Sequence, residues 1–186
     1  VTVLVLAPCI SLLEKLVCAI IKDDPQPETL GDWDKLEERF INNPVIAIEQ
    51  CRIVLTSMAK WTRKNLMDAF ALLKDYSTEG YDEVLDVETL VDQYEDHLGT
   101  YIIKVTSSEL TQKQNEDVYQ FLHAITDLER ISDHAQNIGE SAKEIFEKKI
   151  VFTDQAKSDL GVLSSAVHEI LHVAVKAFDG DDPAAA

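Results

Sequence analysis

Two residue patterns in this sequence could do chemistry. The first is the pentapeptide HEILH, His168 to His172, in which two histidines four positions apart share one helix face with Glu169 between them. Zinc peptidases use this arrangement: two imidazoles hold the metal and the glutamate polarises a bound water. The residues that follow, VAVKAF, supply neither the further histidine nor the glycine of a metzincin, and the fourteen downstream positions are too few to reach the distant glutamate of other zincins. The second pattern is a pair of carboxylates repeated on two segments. ITDLERISDHAQNI places Glu129 and Asp133 four apart, and VETLVDQYEDHL does the same with Glu88 and Asp92. Four carboxylates on one groove would repel by several kcal/mol if partly buried, unless a cation or Arg130 compensates. An all-oxygen donor set favours hard ions such as Mg, Ca, Mn or ferric iron. The spacing alone is common on acidic helices, and Asp82 with Asp86 shows it without any such role. Ferritin-like dimetal sites need Glu-x-x-His, which occurs only at Glu169 to His172. His123 and His134 read as boundary-layer histidines.

The elements that must position these groups are helices. Asn43 and Pro44 mark a helix start, as N-cap and first-turn residue. Ile48, Cys51, Leu55, Met58, Thr62, Leu66, Ala69 and Leu73 then recur at intervals of three and four, which predicts one buried stripe. YSTEGYD breaks the pattern. A second stripe runs through Val84, Val87, Val91, Tyr94, Leu98, Tyr101 and Val105. Thr111 and Gln114 are spaced for a capping box ahead of a third stripe, Val118, Phe121, Ile125, Leu128, Ser132, Ala135, Gly139, Ala142 and Phe146. Past KIVFTD, the spacing of Leu160, Leu163, Val167, Ile170, Ala174 and Ala177 predicts a fourth helix. With no strand pattern, the expected fold is all-α: an antiparallel three-helix bundle, a fourth helix and a short N-terminal helix.

On this reading residues 1–22 are an apolar helix, 23–43 a linker, 44–149 the three-helix unit and 150–186 the fourth helix. The uncharged opening, VTVLVLAPCISLL, is expected to be either the end of a transmembrane helix or a short helix on the globular part. With 34 acidic against 17 basic residues, a net charge of -17 argues against nucleic acid as a partner and for cations. Cys9, Cys18 and Cys51 have neither disulfide-framework nor zinc-knuckle spacing.

The fourth helix repeats the first. VLTSMA at Val54 to Ala59 returns as VLSSAV at Val162 to Val167, and Ala69-Phe70 returns in register as Ala177-Phe178. A repeated unit is incomplete alone, so a second three-helix repeat is expected to follow residue 186 in a parent protein. Without it, the apolar stripe of the fourth helix is expected to find cover from the first bundle, the N-terminal helix or another copy of the chain, as in a homodimer. The alignment sets His168 and His172 opposite Lys60 and Lys64, which predicts wet positions for both histidines and an inert HEILH.

DLERISDHAQNI resembles the signature of the PhoU family. WDKLEERFINNPVIAIEQC and LAPCISLLEKLVCAII are similar to the segments by which bacterial Na/Pi-cotransporter-type proteins leave the membrane and enter a PhoU-like domain. The resemblance implies three-helix repeats that occur in pairs, and carboxylate motifs that hold iron or zinc clusters. Carried over, those motifs fall on Glu88 with Asp92 and on Glu129 with Asp133, with Fe, Zn, Mn or Mg as the candidate ions and one of the two expected cluster sites missing. It further implies a non-enzymatic regulatory domain at the cytoplasmic face of the cell membrane. Its partners would be an attached transmembrane transporter and proteins of phosphate signalling. The competing reading is a soluble helical-bundle enzyme, either carboxylate-bridged dimetal or a zinc hydrolase through HEILH.

Overall fold

Pro44 occupies the first turn of a 29-residue helix, α1 (Pro44–Leu72), where its missing N–H would have had no intrahelical partner in any case. Asn43 stands at the N-cap position, but its side chain makes no capping hydrogen bond, so the proline and not the asparagine marks this start. Three more helices follow: α2 (Thr78–Thr106), α3 (Gln112–Glu147) and α4 (Asp154–Asp179). These come from a computed structural model that describes residues 31–179, with side chains described to residue 176. The expected N-terminal helix and the first part of the linker lie outside the described residues.

Local chemistry sets the helix ends. Ser77 caps α2 by accepting the Gly80 N–H at 3.0 Å. The expected capping box is present at α3: Thr111 accepts from the Gln114 backbone, and the Gln114 side chain accepts from the Thr111 N–H at 2.9 Å. α3 closes with Lys149 in the left-handed region at φ 54°, and the Ile150 N–H returns to the Ile145 carbonyl at 3.0 Å. That is a Schellman closure, built on a lysine where glycine is usual.

α1 lies against both α2 and α3, and the three form the expected bundle. Every residue of the predicted α2 stripe is buried, and so are all of the α3 stripe except Phe146, which is 61% exposed. The core falls into two clusters. One surrounds Leu55, Met58, Tyr94 and Leu98, and the other Leu66, Ala69, Val84 and Ala135. At the level between them, Thr62, Asn65 and Ser132 are fully buried, with Asn65 Nδ2 donating to Ser132 Oγ at 3.2 Å. Thr62 Oγ1 and Asn65 Oδ1 have no hydrogen-bond partner among the described residues, an unusual cost for buried polar atoms.

Part of the segment read as linker is built into the bundle. Two short 3-10 helices, Asp32–Lys35 and Glu38–Phe40, hold Trp33 edge-on to Tyr94 at 5.1 Å and stacked on His97 at 4.8 Å. Tyr94 Oη accepts the Asp32 N–H at 3.0 Å, and Tyr101 Oη donates to the Glu37 carbonyl at 3.0 Å. Gly31 is required here, since a Cβ would lie 1.8 Å from the Trp33 ring.

α4 runs antiparallel to α1 but is rotated from its predicted register. Leu160 and Val167 reach the core as expected, whereas Leu163 and Ile170 are 56% and 68% exposed and Ala174 is also exposed. Leu171 and Val175 are buried instead. The cause is that α4 is apolar on two faces. Its exposed Val162, Leu163, Ile170 and Val173 are the repeat counterparts of Val54, Leu55, Thr62 and Asn65, all buried in α1. α1 turns that face to its partners, while no helix among the described residues covers it on α4.

Candidate functional site

The acidic groove is a direct product of helix geometry. On α2, Val87 and Val91 are buried, so the next residues, Glu88 and Asp92, sit on the shoulder at the water boundary. On α3, Leu128 and Ser132 place Glu129 and Asp133 in the same way. Because α2 and α3 are antiparallel neighbours, the two shoulders face each other.

All four predicted carboxylates interact. Partial burial, then Asp92, then Asp133 push the Glu88 carboxyl above its usual range. Burial, Asp133 and Asp96 raise Asp92. Glu129 is raised by burial, by Asp133, Glu95 and Asp92, and by a hydrogen bond in which its protonated form donates to Asp133. The sequence reading missed Glu95, which is half-buried and is raised by burial, Asp92, Asp96 and Asp133. Its 88-92-95 spacing was the available signal. Arg130, the expected compensator, is exposed and makes no ion pair among the described residues.

The groove is therefore a concentration of mutually repelling charge. Its donor chemistry suits a hard cation, but its side chains are coupled through space and not gathered as ligands. Among the described residues no group of three or more His, Cys, Asp or Glu could hold a metal ion as it stands. A cation meeting these carboxylates would find them partly hydrated.

The HEILH motif is positioned differently from its predicted setting. His168 is exposed, and its ring is parallel to that of His172 at 6.2 Å. His172 is half-buried and not wet: its Nδ1 lies 3.1 Å from Arg63 Nη1 on α1. A guanidinium only donates, so Nδ1 is the acceptor and the imidazole ties α4 to α1. Arg63 gave no sign of this in the sequence, because its partner is 109 positions away. His123 is exposed and meets Tyr119 edge-on at 4.4 Å, and His134 is exposed. Cys51 is buried and free, its thiol pushed up to about 12 by desolvation, which makes it an inert core group.

No helix among the described residues is long and apolar enough to cross a membrane. No curated protein and no solved structure shows a significant match to the chain. The PhoU domain family does match, over residues 55–142, a span that takes in most of α1, all of α2, most of α3 and every carboxylate of the groove.

Proposed function

We propose that this chain is a non-catalytic regulatory module acting in phosphate transport. The observation that carries this reading is the PhoU domain match over the three-helix bundle. In the finer form of the proposal, the module is attached to a sodium-dependent phosphate transporter at the cytoplasmic face of the cell membrane and contacts proteins of phosphate signalling. Sequence resemblance supports that attachment, through LAPCISLLEKLVCAII and WDKLEERFINNPVIAIEQC. The uncovered apolar face of α4 favours a homodimer or another helical partner as part of the arrangement.

The acidic groove supplies the regulatory element in this reading. Glu88, Asp92, Glu129 and Asp133 oppose the close approach of α2 and α3, and a cation such as Mg, Mn, Zn or Fe favours it by offsetting their charge. A ligand shifts a conformational equilibrium only through different affinities for the two states, and a groove whose charges separate on opening meets that condition. The test is sodium-dependent phosphate uptake by cells with this chain intact or deleted. Regulation requires that uptake, or its response to external phosphate, change on deletion. Identical uptake and identical cellular phosphate in both strains would overturn the proposal.

A further inference from the structure

At the end of the bundle remote from Trp33, the C-termini of α1 and α3 and the first turns of α4 border a half-open cavity of about 550 Å³. Its walls are apolar, with Leu73, Ile145, Phe146, Phe152 and Leu160 among them, and Tyr76 stacks on Phe146 at 4.9 Å. Much of this hydrocarbon faces water: Phe146 is 61% exposed, Ile150 48% and Val151 84%. The charged residues lining it are Lys74, Lys149 and Lys157, with no carboxylate, in a chain where acids outnumber bases 34 to 17. Lys74 and Lys149 make no ion pair among the described residues, and Lys157 has only a loose contact to exposed Asp154 at 3.8 Å. Lys149 is, in addition, held at φ 54°, a left-handed backbone that glycine adopts without strain and a lysine does not. The backbone does not explain that lysine; its side chain at the cavity can.

We propose that this cavity binds a single-chain amphipathic carboxylate, a medium-chain fatty acid, with its acyl chain along the Leu73, Phe146 and Leu160 walls and its head on the lysines. The volume lies within the range of roughly 300–1,000 Å³ usual for small-molecule sites, and an apolar lining with few charged groups is their usual composition. Lysine fits this task, since its stem lies along hydrocarbon while its ammonium reaches the head. The charge complementarity separates this occupant from a neutral or cationic one.

The test is calorimetric titration of the full chain with decanoate below its micellar concentration, with decanol and decyltrimethylammonium as the uncharged and cationic counterparts. The expected result is one saturable decanoate site, bound at least tenfold more tightly than decanol, with no binding of the cation. Lys74→Gln, Lys149→Gln and Lys157→Gln together should erase the preference for the carboxylate while thermal unfolding stays cooperative. Leu160→Trp, which narrows the cavity, should weaken decanoate and decanol alike. Equal affinity for acid and alcohol, several non-saturating sites, affinity unaltered in the triple variant, or no binding because a protein segment fills the cavity would each overturn the proposal.

Discussion

Replacing Glu129 by Gln and Asp133 by Asn removes two charges from the acidic groove at nearly constant volume, and the consequence can be worked from the structure. Two like charges at about 4 Å in water repel by about 1 kcal/mol. The groups here are half-buried to exposed, and solvent screening leaves about half to all of that for each contact relieved. Since Glu129 and Asp133 face Glu88, Asp92 and Glu95, the double variant should be more stable than the parent by about 1–2 kcal/mol at pH 7, or roughly 3–6 °C in Tm for a chain of this size. The pH dependence gives a second signature. Glu88, Asp92, Glu95 and Glu129 titrate above their ordinary values of 4.5 and 3.8, so the folded state binds more protons than the unfolded one in that interval. The parent must therefore gain stability as pH falls from neutral through these raised values, and the gain stops growing once the unfolded carboxyls protonate as well. Below that point the opposite group takes over. Asp32, held low by Lys35 and Ser57, and Glu38 and Glu144, held low by Lys104 and Lys148, lose their favourable ion pairs. Thermal melts of parent and double variant from pH 7.5 to pH 3.5, at low and high salt, measure both effects. The excess stability of the variant should shrink towards pH 4.5 and with added salt. Under the proposed cation role, Mg, Mn, Zn or ferric iron at a hundredfold excess over Kd raises the parent by about 2.7 kcal/mol and leaves the variant unmoved. A variant that melts at or below the parent at pH 7 would refute the repulsion argument, and a flat response of the parent to every cation would remove the metal.

The register of α4 is checked by Leu171→Ala, expected to cost about 2–3 kcal/mol in denaturant unfolding, against Ile170→Ala, expected within about 0.5 kcal/mol; a reversed order would restore the predicted stripe. Tyr94→Phe removes the acceptor for the Asp32 N–H and should cost about 1 kcal/mol, with faster proteolysis between Gly31 and Asn43 as the local readout. For HEILH, His168→Gln should leave unfolding unchanged, while His172→Ala, which strands the Arg63 guanidinium, should cost about 1 kcal/mol. Neither substitution should alter bound zinc measured after dialysis, and a stoichiometric zinc lost in either would contradict the reading of HEILH as structural.

What the sequence determined by itself was whatever depends on near neighbours along the chain. Helical periodicity picked out the α2 stripe from Val84 to Val105 because that helix has a single apolar face, and every member is buried. Thr111 with Gln114 was legible because a capping box closes within three residues. The pairs Glu88 with Asp92 and Glu129 with Asp133 could be placed on helix shoulders because a spacing of four is a local geometric fact. That the two shoulders confront each other, and that Glu95 joins them, depended on how α2 and α3 dock. α4 shows the limit most directly. It carries two apolar faces, and periodicity ranks residues by face without naming the face that finds a partner. Docking on α1 chose Leu171 and Val175 and left Leu163 and Ile170 in water, although the same face is buried in the repeat-related α1. The Arg63 to His172 bond and the stacking of Trp33 on His97 likewise join positions 109 and 64 apart. Such contacts exist only after the chain has closed on itself, because the energy of a long-range contact resides in the pair and not in either local sequence.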